Sequence, residues 1–483
     1  MIESLMWKSY DYNQDGVDLF NALKEKPYSF FLDSSKDIYG LGRFSFIGFD
    51  PFMVVRNKGQ KPFGTLKELL QRFAISDSKK LSPLPAGAVG FLGYDLGLMM
   101  EHIPLSAQDD LMLPDYAFGF YDCIITIDHW KKKLHIFSSG LPEKNSLLAK
   151  KRAQQRLKEV VDSVAHAEVS SDRVPFSSTA EEKWDLAAQA DSIGMKCNMT
   201  KSAYLKAVKR ALSYIAVGDI YQVNLSQRFS MELPEVEPAN RAMDFEIFTL
   251  LRRSSPSSFG AYFNCGDFSI ACSSPERFLH VSDRTVITRP MKGTRPRRET
   301  IGEDKKQKEE LLRSRKDRAE LLMIVDLLRN DLGRVCEYGS VKVKDMRTLE
   351  RYNTVFQTTA TIQGILHKQK DRVDLVKACF PGGSITGCPK IRSMQIIEEL
   401  EPTRRALYTG SLGYFSFTGD MDLNILIRTL LMKGNKAYFQ VGGGIVADSK
   451  PEDEYQETLV KAKALFSSLQ THCSGRIAVK ASV

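Results

Sequence analysis

The chain has 483 residues, 43% of them hydrophobic and 10% aromatic, with a net charge of +9. That composition excludes a disordered or collagen-like chain and allows a large core, divided into two or three domains or built as one large sandwich or barrel. The positive balance comes without a long basic tract or an aromatic-basic repeat, small acidic ligands explain it equally well, and nucleic acid is not expected.

No apolar run approaches the roughly 18 residues of a membrane helix, and MIESLMWKSYDYNQDG lacks the basic-then-apolar pattern of a signal peptide. A cytoplasmic protein without membrane contact is expected. Residues 1–165 read as one region. In it, β-like runs such as YSFFLDS, FSFIGFDPFMVV and AFGFYDCIITIDHW alternate with turns and helical stretches. GAVGFLGYDLG, residues 87–97, sets four glycines among aromatics, which fits a kinked strand or close backbone packing. A charged helix is expected over 144–165, and the polar, irregular stretch 166–196 reads as a linker.

The pattern sharpens in the region 197–470. Thr200 can cap a helix through YLKAVKRALSYIA, and Gly218 can end it. The strand-like run IYQVNLSQRFS follows. Further strands are expected at 259–264, 268–272, 277–281, 411–417, 424–431 and 437–441. Helices are expected at 303–330, 371–379, 389–400 and 452–469, with a C-terminal tail over 471–483. Hairpin-like neighbours mixed with helices argue for an α+β fold rather than regular βαβ winding. The eight cysteines form no CxxC or Cys/His cluster, so they read as reduced thiols without a zinc site.

The segment TRPMKGTRPR, 288–297, sets Lys292 among three arginines and two prolines. As a loop it suits an anionic ligand, with Gly293 allowing a tight approach. A nucleophilic lysine has to be neutral, and cationic neighbours with partial burial favour that form; a solvated lysine on a basic turn fits the same residues.

Two acidic pairs share one spacing. Asp317 and Glu320, and likewise Glu454 and Glu457, stand three apart, so each pair shares a helix face. Two such helices face to face would offer carboxylate oxygens to one magnesium ion; solvated surface carboxylates, with Glu457 paired to Lys461, fit equally. FPGGSITGCPKIRSM, 380–394, is a glycine-rich turn entering a helix at Pro389. Its Gly383, Ser384, Thr386 and Gly387 can offer donors to a carboxylate or phosphate, and Lys390 adds a cation. QVGGGIVADS places Gly442, Gly443 and Gly444 after a strand, where their amides can hold a second carboxylate or merely mark a flexible strand end. Arg428, alone in the apolar run NILIRTLL, calls for either a structural acid or an anionic ligand. Glu276, in SSPERFL, is a candidate proton donor or a salt-bridge partner of Arg277.

Seven stretches in order resemble the chorismate-utilising enzymes: GDIYQVNLSQRF, SSPERF, TRPMKGTRPR, DRAELLMIVDLLRNDLGRV, FPGGSITGCPKIRSMQIIEELEP, GYFSFTGDMDLNILIRTL and GGGIVADSKPEDEYQET. The strong resemblance spans about 198–466, and YSFFLDSS with GRFSFIGFDP extends it towards the N-terminus. It implies a two-sheet antiparallel α+β sandwich with outer helices, in which both halves of the chain build one core. It implies magnesium, held directly by Glu320 and Glu457 and through water by Asp317 and Glu454. It implies that Thr386, Arg428 and the amides of Gly442 to Gly444 hold the carboxylates of chorismate, with Tyr408 near the enolpyruvyl group and Glu276 as general acid.

Within that family, anthranilate synthases typically carry alanine where Lys292 stands, and isochorismate and salicylate synthases typically place a water-activating lysine where Gln222 stands. The combination of Lys292 with Gln222 is similar to the aminodeoxychorismate synthases. It implies a lysine nucleophile and amination of chorismate towards 4-aminobenzoate and folate. Anthranilate formation is the alternative, and a chorismate-binding module without turnover is a third. No glutaminase-like segment is present, so ammonia is expected from a separate glutamine amidotransferase subunit. Gln357 takes the place of a histidine common in relatives, and Asp317 stands where glutamate is common. Asp33 and Ser34 resemble part of the pocket that binds tryptophan in feedback-sensitive relatives. SSPSSFGAYF lacks the bulky residues expected there, so no tryptophan inhibition is expected.

Overall fold

The computed structural model describes residues 5–38, 40–76, 80–165, 194–233, 241–352 and 355–481. The expected linker over 166–196 lies outside them except for its last three residues. Two large sheets of 12 and 10 strands dominate the fold, and every ladder named within them is antiparallel. Strands before residue 140 and after residue 195 mix in both sheets. In the larger sheet, Phe30–Asp33 pairs with Phe259–Asn264; in the smaller, Gly87–Leu92 pairs with Ser411–Ser416.

Strand residues alternate between two faces, and here both faces are buried. On Gly87–Leu92, Val89 and Phe91 join a cluster between the sheets, while Ala88 and Leu92 face the other way. That inter-sheet cluster also takes Phe30, Phe46, Phe263 and Ile270 from the larger sheet and Leu412 and Tyr414 from the smaller. Outer helices cover the remaining faces. Phe63–Arg72, Arg315–Gly333 and Arg372–Cys379 pack on the smaller sheet; Ser146–Ala165, Arg241–Ser254 and Pro451–Ala481 pack on the larger. The result is the expected α+β sandwich. Among the described residues no helix is long and apolar enough to cross a membrane.

Local signals explain many elements. Thr200 accepts a hydrogen bond from the Ala203 amide and caps Lys201–Ala216, while Gly218 takes φ +83 just past its end. Gly90 lies so close to its neighbour that a Cβ would fall 1.9 Å from the Ala117 carbonyl oxygen, which accounts for the glycine there.

Other expectations are corrected. The helix expected over 303–330 is two helices, Ile301–Arg313 and Arg315–Gly333, because Ser314 ends the first and caps the second. The strand expected over 424–431 is also two, Met421–Asn424 in the smaller sheet and Thr429–Lys433 in the larger. Residues 425–428 cross between the layers. The final helix runs to Ala481, through most of the stretch expected as a tail.

Candidate active site

The expected site residues gather where an edge of each sheet meets the other. Met291–Pro296 is at one end of the smaller sheet; Gln222–Glu232 lies near one end of the larger, followed only by the short strand Gly387–Cys388. TRPMKGTRPR is therefore strand rather than loop. Its register against Val355–Ile365 slips between Lys292 and Thr294, and Gly293 takes φ +75 there. Such a bulge re-aims the neighbouring side chain. Thr358 Oγ1 donates to the Lys292 carbonyl at 2.5 Å, and Gln357 Nε2 to Thr294 Oγ1 at 3.2 Å.

The glycine run lies within the strand Lys436–Ile445, not after it. Gly442, Gly443 and Gly444 pair with Ser226, Leu225 and Asn224. Their bareness makes room. A Cβ on Gly444 would fall 2.9 Å from Gln222 Nε2 and 3.5 Å from Lys292 Nζ. A Cβ on Gly443 would fall 3.2 Å from Glu454 Oε2 and 3.6 Å from Glu457 Oε1. Gly444 thus separates the amine of Lys292 from the amide of Gln222 by a space about one side chain wide. Gln222 is fully buried, and both its amide atoms lack a hydrogen-bond partner. A buried unpaired amide is costly, so the geometry favours a polar guest there.

Glu276 faces the same space from the start of Arg277–Ser282. It is not the partner of Arg277, which binds Asp422 at 2.7 Å. Ser384, expected to face a ligand, instead donates to Glu276 Oε1 at 2.6 Å. Burial pushes the Glu276 carboxyl up to about 7, against the opposing pull of Ser384 and Lys292. A carboxyl so placed keeps its proton near neutrality and can release it.

The two acidic pairs lie on helices from opposite layers, Arg315–Gly333 and Pro451–Ala481. Glu320 is raised by burial, with attraction to Lys292 and Lys316 opposing and repulsion from Asp317 and Glu457 adding to it. Glu457, whose side chain is about half exposed (52%), is instead held low by Lys461 at 2.6 Å. Lys461 also donates to the Gly442 carbonyl at 2.8 Å, a contact that the i,i+4 spacing alone did not suggest. The outer members of each pair are engaged. Asp317 binds Arg295 at 3.0 Å, and Glu454 accepts from Ser449 at 2.6 Å with Lys316 at 3.7 Å. Among the described residues no three His, Cys, Asp or Glu side chains converge as a ready-made metal group. The mutual repulsion of Glu320 and Glu457 across the helices is nonetheless what a divalent cation would relieve, so these two fit magnesium.

The remaining candidates divide. Thr386 is buried, and its hydroxyl donates to the Gly382 carbonyl at 2.9 Å. Gly387 beside it packs on the Gln222 carbonyl, where a Cβ would fall at 2.2 Å. Arg428 lies on the crossing segment with φ +50 and has no carboxylate partner among the described residues; it donates to Ser255 Oγ at 3.3 Å. Burial pushes its guanidinium down, with Tyr352 opposing. Tyr408 packs under the Arg405 guanidinium, 5.6 Å from its ring centroid. Lys390 is not a free cation, since it binds Asp331 at 2.7 Å and the Cys379 carbonyl at 2.9 Å.

Asp33 and Ser34 lie elsewhere. Asp33 binds Arg252 at 2.8 Å, and Ser34 donates to the Phe44 and Ser258 carbonyls. Both line a cavity of about 840 Å³ between the sheets, together with Trp130, Arg277 and Tyr414. This cavity holds neither Lys292 nor Glu276. The convergence of amine, acid and orphan amide, not cavity size, therefore identifies the candidate active site.

Comparison with known proteins agrees with this geometry. The model of a family described as chorismate binding enzyme matches residues 27–467. Anthranilate synthase component 1 of Acetivibrio thermocellus is 36% identical, over 94% of this chain and 92% of that one. Aminodeoxychorismate synthase component 1 of Bacillus subtilis is also 36% identical, over 89% and 90%. Among solved structures, anthranilate synthase component I of Streptococcus pneumoniae superposes with a TM-score of 0.74 at 32% identity, over 89% of this chain and 93% of that one.

Proposed function

The chain belongs to the chorismate-binding enzyme family, and from that premise we propose that it aminates chorismate at ring carbon 4, as an aminodeoxychorismate synthase component I. It is a chorismate-utilising enzyme of the aminodeoxychorismate or anthranilate synthase component I type, as its relatives are. Equal identity to the two kinds leaves the choice to residues. The observation that carries the finer reading is the position of Lys292, whose amine stands 3.5 Å from the Cβ position of Gly444, within electrostatic reach of Glu276.

Hydroxide leaves poorly, so Glu276 gives its proton to the ring hydroxyl as the bond from carbon 4 to oxygen breaks and water departs. Lys292 forms a bond to ring carbon 2 as the two double bonds shift, then loses a proton. Ammonia next attacks carbon 4, the double bonds shift back, the Lys292 nitrogen takes up a proton and leaves as the neutral amine, and the added nitrogen gives up a proton, so the protons balance. The covalent route divides one difficult substitution into two easier ones. Gln222 provides a neutral amide, not a base, on the side where a water would otherwise be activated.

Arg428 and the donors around Thr386 suit the substrate carboxylates, and Tyr408 suits the enolpyruvyl side. Glu320 and Glu457 would hold magnesium, which when bound supplies positive charge to the ring carboxylate. Ammonia would come from a glutamine amidotransferase partner; the "component 1" names of the relatives support a second component.

The test is product analysis by mass spectrometry, with purified protein, chorismate, magnesium and ammonium at mildly alkaline pH. An amino-substituted chorismate that keeps its enolpyruvyl group supports the proposal. Anthranilate would overturn it in favour of the other kind of relative, and the absence of turnover would overturn both.

A further inference from the structure

Lys292 is aimed by its backbone. Among the described residues its amine makes no hydrogen bond or ion pair, although Glu276, Glu320 and Glu457 attract it through space. Its direction is set by the backbone at the Gly293 bulge, and the bulge leans on two residues, Leu311 and Asp317. A Cβ on Gly293 would fall 2.8 Å from Leu311 Cδ1 and 3.0 Å from both Cβ and Cγ of Asp317; of the two, only Asp317 also binds the strand beyond the glycine. Two residues beyond Gly293, Arg295 donates from Nη2 to Asp317 Oδ2 at 3.0 Å. The Asp317 side chain is only 13% exposed.

Asp317 is itself held. Its amide donates to Ser314 Oγ at 3.1 Å, the cap of the helix Arg315–Gly333. Arg347, from the strand Lys342–Arg351, donates to the Leu311 and Leu312 carbonyls at 2.6 and 2.9 Å and secures the end of the preceding helix. The first turn of Arg315–Gly333 is therefore a fixed wall, and the bulge is pressed against it and tied to it.

We infer that Asp317 is a positioning residue for Lys292, acting through Arg295 and the Gly293 bulge, rather than a direct ligand of the magnesium ion. The inference rests on the reading of Lys292 as nucleophile. It also explains aspartate at this position: the shorter side chain packs against the glycine and meets Arg295, whereas a longer one would push the bulge outward. Glu320, one turn further along and without a hydrogen-bonded partner among the described residues, is left to face the cation.

The experiment separates positioning from metal binding without relying on turnover. The full-length, metal-free protein, as the native form and as Asp317→Asn, Arg295→Gln and Glu320→Gln, is treated with an amine-reactive reagent. The rate of Lys292 labelling is read by peptide mass spectrometry. Magnesium binding is measured separately by calorimetry with the metal alone, Glu320→Gln serving as the control that weakens it. For Asp317→Asn and Arg295→Gln the expected result is a Lys292 labelling rate changed by about tenfold, with magnesium affinity within about twofold of native. The loss in turnover falls on kcat, on the order of a hundredfold, with KM little changed. Unchanged Lys292 labelling, or magnesium affinity weakened to the level of Glu320→Gln, overturns the inference. If Asp317→Asn does not fold, Arg295→Gln removes the same ion pair from the exposed side and carries the test. Failure of the proposed reaction would show separately, as a wrong product from the native protein.

Discussion

Ser384 donates its hydroxyl to the buried carboxyl of Glu276 at 2.6 Å, joining the glycine-rich turn after Phe380 to the residue placed to release a proton. Hydrogen bonding to a carboxylate favours its charged form. Ser384 thus restrains a carboxyl that burial drives up to about 7. As general acid, Glu276 acts in its protonated form, so kcat/KM at fixed free ammonia should fall as pH rises through about 7. Ser384→Ala removes the restraint and should move that alkaline limb upward by about one to two units, since a hydrogen bond to a charged group contributes roughly 1.5–3 kcal/mol. A limb that stays in place or moves down would take Glu276 out of the role.

The same shift makes a stability prediction of opposite sign to the usual carboxylate. Glu276 holds its proton up to about 7 when folded, while its ordinary value is 4.5. Between those values the unfolded chain has already released the proton, so stability falls as pH rises across this window and is level above it. Glu276→Gln is neutral throughout. It should match the native protein at the acid end and exceed it above pH 7 by roughly 3 kcal/mol, from about 1.4 kcal/mol per unit. Urea denaturation at several pH values reads the difference.

Gly444→Ala tests the space between Gln222 and Lys292. The added methyl would lie 2.9 Å from the Gln222 amide nitrogen, closer than carbon tolerates, and 3.5 Å from the Lys292 amine. The expected loss in kcat/KM is at least about tenfold with a melting temperature near native, because only the site has to give way. Steady-state kinetics and a thermal melt on one preparation decide it.

How far the sequence could carry these conclusions depended on where each residue's partners lie. Periodicity and punctuation placed Lys201–Ala216, Phe259–Asn264 and Lys390–Leu400 nearly to the residue, because caps, turns and alternation are local. Lys342–Arg351 was missed: KVKDMRTLER is a charged, largely exposed edge strand without an apolar alternation to reveal it. Arg428 read as strand because its neighbours are apolar on both faces. Only the crossing between sheets shows why they are, and no local spacing announces a φ of +50. The acid, the lysine and the carboxylate pairs were legible as residue types in motifs. The pairings Ser384 with Glu276, Asp317 with Arg295 and Lys390 with Asp331 were not, because each joins segments distant in the chain.

Arg405 should be the most costly single change behind the site. It is 1% exposed and pairs with Glu401 at 2.7 Å, itself 2% exposed. It also donates to the Asn224 and Ile385 carbonyls and to Thr409 Oγ1, so it ties together the segments that bear Gln222, Thr386 and Tyr408. Arg405→Met would leave Glu401 buried without its counter-ion, held by the Ser226 amide and hydroxyl, at a cost of about 3–5 kcal/mol. The double change with Glu401→Gln should recover part of the stability but not the activity, since the three segments lose their common tie. Chemical denaturation and turnover, measured on both variants, separate the two effects.

Lys292→Ala addresses the chemistry itself. The lysine makes no ion pair or hydrogen bond with its amine among the described residues, so its removal should leave the fold and chorismate binding nearly intact. Amination should fall by roughly a hundredfold or more, because the covalent route is closed and only direct attack remains. In the native protein, acid quenching during turnover without ammonia should leave an adduct on the peptide that carries Lys292, heavier by chorismate less one water. Retained binding with lost turnover and a lost adduct supports the nucleophile; an unchanged rate of amination in Lys292→Ala would mean that ammonia attacks the ring directly and that Lys292 serves only to attract the anion.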